Sequence, residues 1–248
     1  MSQNPWSQYC PPKEILRQKI WQRLVAEKAV QIDPRGHIPN FLGAKQAAAQ
    51  LRQLEMWRKA RVVKCNPDQP QAPVRAAALE DGKLVYMAVP RLVDDHCFVV
   101  LRREWVLERG LSFAVASQKK VFLQLGRPVS FTEMRPLDLA IVGCVAASKA
   151  GGRTGKGAGF ADLELAMLQH FGLIKDEMQI ATTIHAEQLV SSKVLPLESH
   201  DWSLDWVCTP ERAIATNHSH PQPQGLDWDK IKPEQWRSIP ILKKLKGS

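Results

Sequence analysis

No stretch of this 248-residue chain stays apolar for the ~18 consecutive residues that a membrane-spanning helix needs, so nothing in it reads as a bilayer segment. Cysteine is sparse and unpatterned. The five residues Cys10, Cys65, Cys97, Cys144 and Cys208 contain no CxxC pair, which argues against a zinc site, and their odd number argues for a reducing compartment. Cys144 lies in an apolar run, where a small buried thiol is the ordinary reading. The first residues, with Pro5, Trp6, Pro11 and Pro12, lack the basic and apolar regions of a signal peptide, and the expected location is cytoplasmic. No internal repeat is present. Neither a dense Lys/Arg stripe nor RNP-like aromatics occur, so an RNA-binding module finds little support beyond the charge of the chain.

That charge is substantial. Lysine and arginine exceed the acids by a formal +9, and the pI is about 9.4, which favours anionic partners. The basic residues are scattered over helix-like segments (Arg17, Lys19, Arg23, Arg52, Arg58, Lys59) and cluster only at Lys243, Lys244 and Lys246. With 44% hydrophobic and 24% charged residues the composition is that of a folded globular protein, long enough for a sizeable core.

Pro11 and Pro12 precede a segment to Val30 in which Ile15, Leu16, Ile20, Leu24 and Val25 recur at helical spacing. Residues 44–60 are helical by propensity. Beyond them short β-like runs alternate with helical ones: strands at 61–65, 84–88, 96–101, 179–184, 203–208 and 212–216, with helical segments at 71–80 and 159–171 and a Gly126-Arg127-Pro128 break after residues 117–125. The almost continuously apolar run 137–147 suits a parallel strand covered on both faces. Such alternation predicts a three-layer α/β/α sandwich around a mostly parallel sheet, with N-terminal helices. Residues 1–11 read as a short tail, 12–218 as one α/β domain, and 219–248 as an extended tail wrapped over it and pinned by Leu226, Trp228, Trp236 and Ile241.

Three clusters could carry chemistry. After the apolar run come Gly151, Gly152, Gly155, Gly157 and Gly159, then a helix bearing Leu163, Leu165, Met167 and Leu168. Glycines let backbone amides converge on an anion, and the helix start adds its positive dipole end. Arg153 and Lys156 supply charge, and Asp162 could cap the helix or hold a metal. The loop fits neither GxxxxGK[ST] nor GxGxxG, because Gly157 follows Lys156 and the glycine spacing is GxGxG. A flexible connection is the bland alternative. The second cluster is Pro196, His200, Asp201, Asp205 and Thr209. Its His-Asp pair could simply cap a turn, but Asp205 between Leu204 and Trp206 needs a partner, of which a cation is one kind. The third is Lys13 and Arg17, four apart on one helix, which alone read as a solvated basic face.

In this order the clusters resemble the 5-formyltetrahydrofolate cyclo-ligase family. Its opening K-x-x-L-R is matched by Lys13, Leu16 and Arg17, and its strand ending in Pro-Arg by Pro90 and Arg91. Its D-L strand is matched by Asp138 and Leu139, followed by the loop N-R-L-G-R-G-K-G-Y-Y-D. Here that loop runs Gly152-Arg153-Thr154-Gly155-Lys156-Gly157-Ala158-Gly159-Phe160-Ala161-Asp162. The P-x-x-x-H-D-x-x-x-D segment is matched by Pro196, His200, Asp201 and Asp205. The resemblance covers residues 12–216.

It implies an ATP- and magnesium-dependent enzyme. The formyl oxygen of 5-formyltetrahydrofolate is phosphorylated, N10 attacks the activated carbon, and phosphate leaves to give 5,10-methenyltetrahydrofolate and ADP. On this mapping Lys13, Arg17, Arg153, Thr154, Gly155, Lys156, Gly157, Ala158, Gly159 and Phe160 hold ATP, with Lys156 the catalytic cation. Asp162 and Asp205 hold magnesium, and Phe160 and Arg91 face the folate. The expected partners are a reduced folate and a nucleotide, without membrane or nucleic acid, bound by a monomer or weak dimer. Departures from the family pattern are Ala158 in place of a basic residue, Phe160-Ala161 in place of two tyrosines, and the stretch 66–71 (NPDQPQ) without the usual glutamate. They give a second reading, a non-catalytic relative that binds nucleotide or folate, or a related ATP-dependent enzyme with another substrate.

Overall fold

The structure is a computed structural model describing residues 10–89, 92 and 96–247. Its elements in chain order are α1 (Pro11–Ala26), α2 (Ala44–Arg52), α3 (Glu55–Lys59), β1 (Val62–Cys65), α4 (Ala72–Glu80), β2 (Leu84–Ala88) and β3 (Phe98–Leu101). Next come α5 (Arg103–Leu107), α6 (Phe113–Ala116), α7 (Lys119–Leu125), β4 (Arg127–Val129), β5 (Leu137–Ile141), β6 (Ala146–Ser148) and β7 (Arg153–Thr154). The last are α8 (Phe160–His170), β8 (Ile174–Thr183), β9 (Leu189–Val190), β10 (Trp206–Cys208), β11 (Ala213–Ala215), α9 (Pro233–Ser238) and α10 (Pro240–Lys246).

The main sheet has the order β11-β10-β8-β5-β1-β2-β3-β4. Its centre, from β10 to β2, is parallel, and antiparallel strands close both edges. Because successive side chains of a strand point to opposite faces, each central strand divides its residues between two cores. Val63, Cys65, Val85, Met87, Leu139 and Ile141 pack under α2, α3 and α4 on one face. Val62, Tyr86, Ala88, Ala140, Ile180 and Val207 pack under α8 and the C-terminal helices on the other. This is the expected three-layer α/β/α arrangement.

From β1 the chain turns to one side, to β2, and later to the other, to β5. Strand order therefore reverses between β1 and β5, and in open α/β sheets that reversal leaves a crevice beyond the carboxyl ends of the strands. A second sheet of order β7-β6-β9 stands next to it, and α1 covers it with Leu16, Ile20, Trp21 and Leu24 against Val145, Ala146 and Leu195.

Two sequence expectations change. The apolar run 137–147 is two strands, not one: β5 stays in the main sheet and β6 starts the second. The tail 219–248 is not extended throughout, since α9 and α10 are helical. Its expected pins do pack on the core, Ile241 buried and Leu226, Trp228 and Trp236 partly so.

The turn from β6 to β7 depends on Gly151, whose φ of +81° is strained for any side chain, and a Cβ there would lie 2.8 Å from the Leu204 carbonyl oxygen. Gly151→Ala should lower stability by about 2 kcal/mol, read as the urea midpoint; an unchanged midpoint would contradict the strain.

Candidate functional site

The crevice at the reversal point is a cleft of about 990 Å³. Asn66, Pro67, Asp68 and Gln69, directly after β1, form one wall, and Gly143, just after β5, lies between. Gly143 is tightly enclosed: a Cβ would come within 2.9 Å of Gln71 Oε1 and 3.2 Å of Asp68 Oδ2. Buried Arg75 shapes the 66–69 wall by donating to the carbonyls of Asn66, Asp68 (3.1 Å) and Ser117 (2.9 Å).

The Gly-rich segment resolves into two parts. Arg153 and Thr154 belong to β7, buried, while residues 155–159 form the loop into α8. Gly157 (φ +118°) and Gly159 (φ +70°) are left-handed, and Gly159 is the N-cap of α8. The first bond of α8 runs from Leu163 N to Gly159 O at 3.1 Å. The amides of Phe160, Ala161 and Asp162 therefore belong to the helix start, where backbone donors have no intrahelical acceptor, and all three residues line the cleft.

α1 delivers two cations, and they are buried, at 7% and 2% exposure, which overturns the reading of a solvated basic face. Lys13 Nζ lies 2.5 Å from Asp201 Oδ2 and 3.2 Å from Glu198 Oε2. Arg17 donates from Nη1 to Thr154 Oγ1 (3.0 Å) and the Gly155 carbonyl (3.4 Å), and its Nε lies 2.9 Å from Glu14. The helical face holding them is the same one that buries Leu16, Ile20 and Leu24; Ile15 and Val25, expected on it, are exposed.

Every loop cation has an acidic companion. Arg153 Nη2 bonds Asp162 Oδ1, and Lys156 Nζ lies 3.3 Å from Asp68 Oδ1. The expected helix-capping role of Asp162 is not seen; besides Arg153 it accepts the Trp202 amide at 3.0 Å. Beneath the loop, Lys64 from β1 and Glu164 from α8 form a buried ion pair at 2.5 Å, and Lys64 also donates to Asn66 Oδ1. Glu164 and Asn66 both line the cleft.

Lys13, Arg17, Arg153, Thr154, Gly155, Lys156, Gly157, Ala158, Gly159, Phe160 and Asp162 all meet at this cleft. Asp205 does not. Its Oδ2 accepts the Ile180 amide (2.7 Å) and its Oδ1 lies 3.0 Å from His218 Nε2, so its partner is a strand edge and an imidazole, not a cation shared with Asp162. Arg91 lies outside the described residues. His200 is at the cleft, 4.0 Å from both Glu198 and Asp201, and Asp201 accepts the Glu198 amide in a turn. Sequence reasoning missed Glu198, Glu164 and a third contributor, the segment 229–233 of the tail, whose Asp229, Lys230, Ile231, Lys232 and Pro233 line the same cleft.

The Lys13 cluster has a pH signature. Burial lowers the Lys13 pKa, but the charge and hydrogen bond of Asp201, then those of Glu198, outweigh it and raise the lysine above its ordinary value. For Glu198, burial acts upward, but the charge and hydrogen bond of Lys13, joined by the charges of His200 and Lys232, together outweigh it, so the carboxyl sits below its usual value of 4.5. A depressed carboxyl contributes stability that is present above the unfolded pKa and lost as pH falls through the folded one. Lys13→Met should therefore melt lower than the parent at pH about 7, and the gap should narrow below pH about 4.5 as Glu198 takes up its proton. A gap constant with pH in thermal melts would show that the pair is not coupled.

Three comparisons bear on this geometry. Residues 11–210 match the 5-formyltetrahydrofolate cyclo-ligase family. Proteins named methenyltetrahydrofolate synthase domain-containing protein are similar: that of Danio rerio is 34% identical over 93% of this chain and 60% of its own length. That of Mus musculus is 34% identical over 94% and 63%, and that of Homo sapiens 32% over 95% and 61%. The chain thus spans about three fifths of the length of these relatives. An NMR structure of Aquifex aeolicus 5,10-methenyltetrahydrofolate synthetase shares the fold with a TM-score of 0.53, at 16% identity, over 84% of this chain and 95% of that one.

Proposed function

The chain belongs to the 5-formyltetrahydrofolate cyclo-ligase family, and from that premise we propose that it closes the formyl-folate ring at the cleft between β1 and β5, using ATP. The observation that carries this reading is the meeting of Lys13, Arg17 and Lys156, from chain segments more than a hundred residues apart, with the amides of a helix-opening glycine loop. Phosphoryl transfer asks the protein mainly for positioning and for positive charge where negative charge develops.

In this proposal the loop amides and Lys156 take the terminal phosphates, and Arg17 holds the loop through Thr154 and Gly155 while facing the same anion. Lys13 and Arg153 act as fixed charges whose acidic partners hold them in place. Phe160, Ile38 and Val89 give the cleft apolar surface for a flat heterocycle. ATP supplies an activated phosphoryl group that turns the formyl oxygen into a leaving group. Among the described residues no three His, Cys, Asp or Glu side chains group to hold a metal. Magnesium usually arrives with phosphate ligands and one or two carboxylates, and Asp162 is the one member of the expected pair at the cleft that could serve as such a carboxylate. Location in the cytoplasm remains part of the proposal; in the described residues no helix is long and apolar enough to cross a membrane.

The test follows methenyl-folate absorbance with purified protein, ATP, magnesium and 5-formyltetrahydrofolate; no ATP-dependent product above a protein-free control sinks the reading. A second reading, binding without turnover, is favoured by the engagement of Asp205 elsewhere and by Ala158 and Ala161 in the loop. Thermal stabilisation by ATP or folate without product would support it.

A further inference from the structure

Residues 227–235 cross the mouth of the Gly-rich loop. Asp229, Lys230, Ile231, Lys232 and Pro233 contribute to the cleft lining, and Gln235, buried in α9, donates to the Ala158 carbonyl at 2.7 Å. Lys232 Nζ donates to the Gly157 carbonyl at 3.2 Å. The contact is close enough to matter sterically, since a Cβ on Gly159 would lie 3.2 Å from Gln235 Nε2 and 3.7 Å from Lys232 Nζ. Two tail side chains are therefore seated on the two peptide units between Gly157 and Gly159, where the loop becomes helix.

We propose that Lys232 is a phosphate-binding cation of the nucleotide site, supplied by the C-terminal segment, and that Gln235 positions it by latching the tail to the loop. The proposal rests on the nucleotide reading above. It reaches beyond the part of the chain that matches the family, which ends at residue 210. The loop places Ala158 between Gly157 and Gly159, so at this point its own sequence offers backbone donors but no charge. An ammonium at the Gly157 carbonyl stands where the loop is uncharged. Its surroundings agree: burial lowers the Lys232 pKa, Lys13 adds to the lowering, Glu198 opposes it, Arg17 lowers it again and Asp162 opposes. Lys232 thus shares one desolvated region with the two α1 cations and with Asp162. A phosphate bound beside Lys232 would offset the like charge that Lys13 and Arg17 place on it, and an uncharged ligand would not.

Lys232→Gln keeps an N–H donor for Gly157 and discards the charge, while Lys232→Arg keeps both. Calorimetry with magnesium-ATP and, separately, with inorganic tripolyphosphate should show affinity about ten-fold or more weaker for the Gln variant against both ligands. The Arg variant should stay within about three-fold, and the Tm of both variants should stay near that of the parent. Unchanged affinity in Lys232→Gln overturns the proposal. So does an equal loss in both variants accompanied by lowered Tm, because it would make Lys232 a brace for the loop and nothing more. Parent protein that binds neither ligand overturns the nucleotide reading itself, and this inference with it.

Discussion

Glu164→Ala is expected to be among the most damaging single changes in the protein, lowering stability by about 3–5 kcal/mol, because it strands the Lys64 ammonium in the interior. Lys64 is fully buried and Glu164 nearly so, and they meet at 2.5 Å between the central strand β1 and the helix that follows the glycine loop. A charge taken from water is tolerated there only while its partner and the Asn66 side-chain oxygen Oδ1 at 2.5 Å compensate it. The double replacement Lys64→Met with Glu164→Leu should recover most of the loss, since buried pairs are often replaceable by apolar residues of similar volume. Urea unfolding of the parent, the two single variants and the double variant gives the coupling directly. Additive effects would show that the pair is not a unit. The same double variant should weaken nucleotide binding while remaining folded, because Asn66 and Glu164 both line the cleft and Lys64 ties one to the other.

The main sheet was legible because its strands are short runs of buried residues separated by helical segments, and both faces are covered. The same property hid the break between β5 and β6. A strand apolar on both faces carries no period that would mark where it leaves one sheet for another. In the tail, Pro233 and Pro240 both open helices, where a missing N–H costs nothing, so proline there marks a helix start as readily as extended chain. At the site, the loop and α1 were recognisable from ordered motifs. The burial of Lys13 and Arg17 was not, because it depends on Asp201, Glu198 and Thr154, lying 137 to 188 positions away. Asp205 shows the limit in the other direction. Its apolar neighbours announced correctly that it needs a partner, but a carboxylate between strands is as well served by a backbone amide and an imidazole as by a metal.

Lys156→Ala separates function from stability most cleanly. The lysine side chain is 43% exposed, and its link to Asp68 spans 3.3 Å, so its removal should change stability by no more than about 0.5 kcal/mol. In the cleft it is the cation carried on the loop between β7 and α8, next to the left-handed Gly157 that turns the chain toward α8. If it meets charge that develops as the phosphoryl group moves, its loss should lower kcat by about 10²–10³-fold, as removal of a preorganised donor does elsewhere. KM for ATP should change less, because Lys13, Arg17 and the amides remain. Asp68→Asn supplies the contrast. It leaves Lys156 in place but takes away the carboxylate that orients it, and should cost roughly ten-fold, between the parent and the alanine variant. A Lys156→Ala enzyme with kcat intact and only KM raised would assign the lysine to ground-state binding, and the developing charge would then fall to the buried cations of α1.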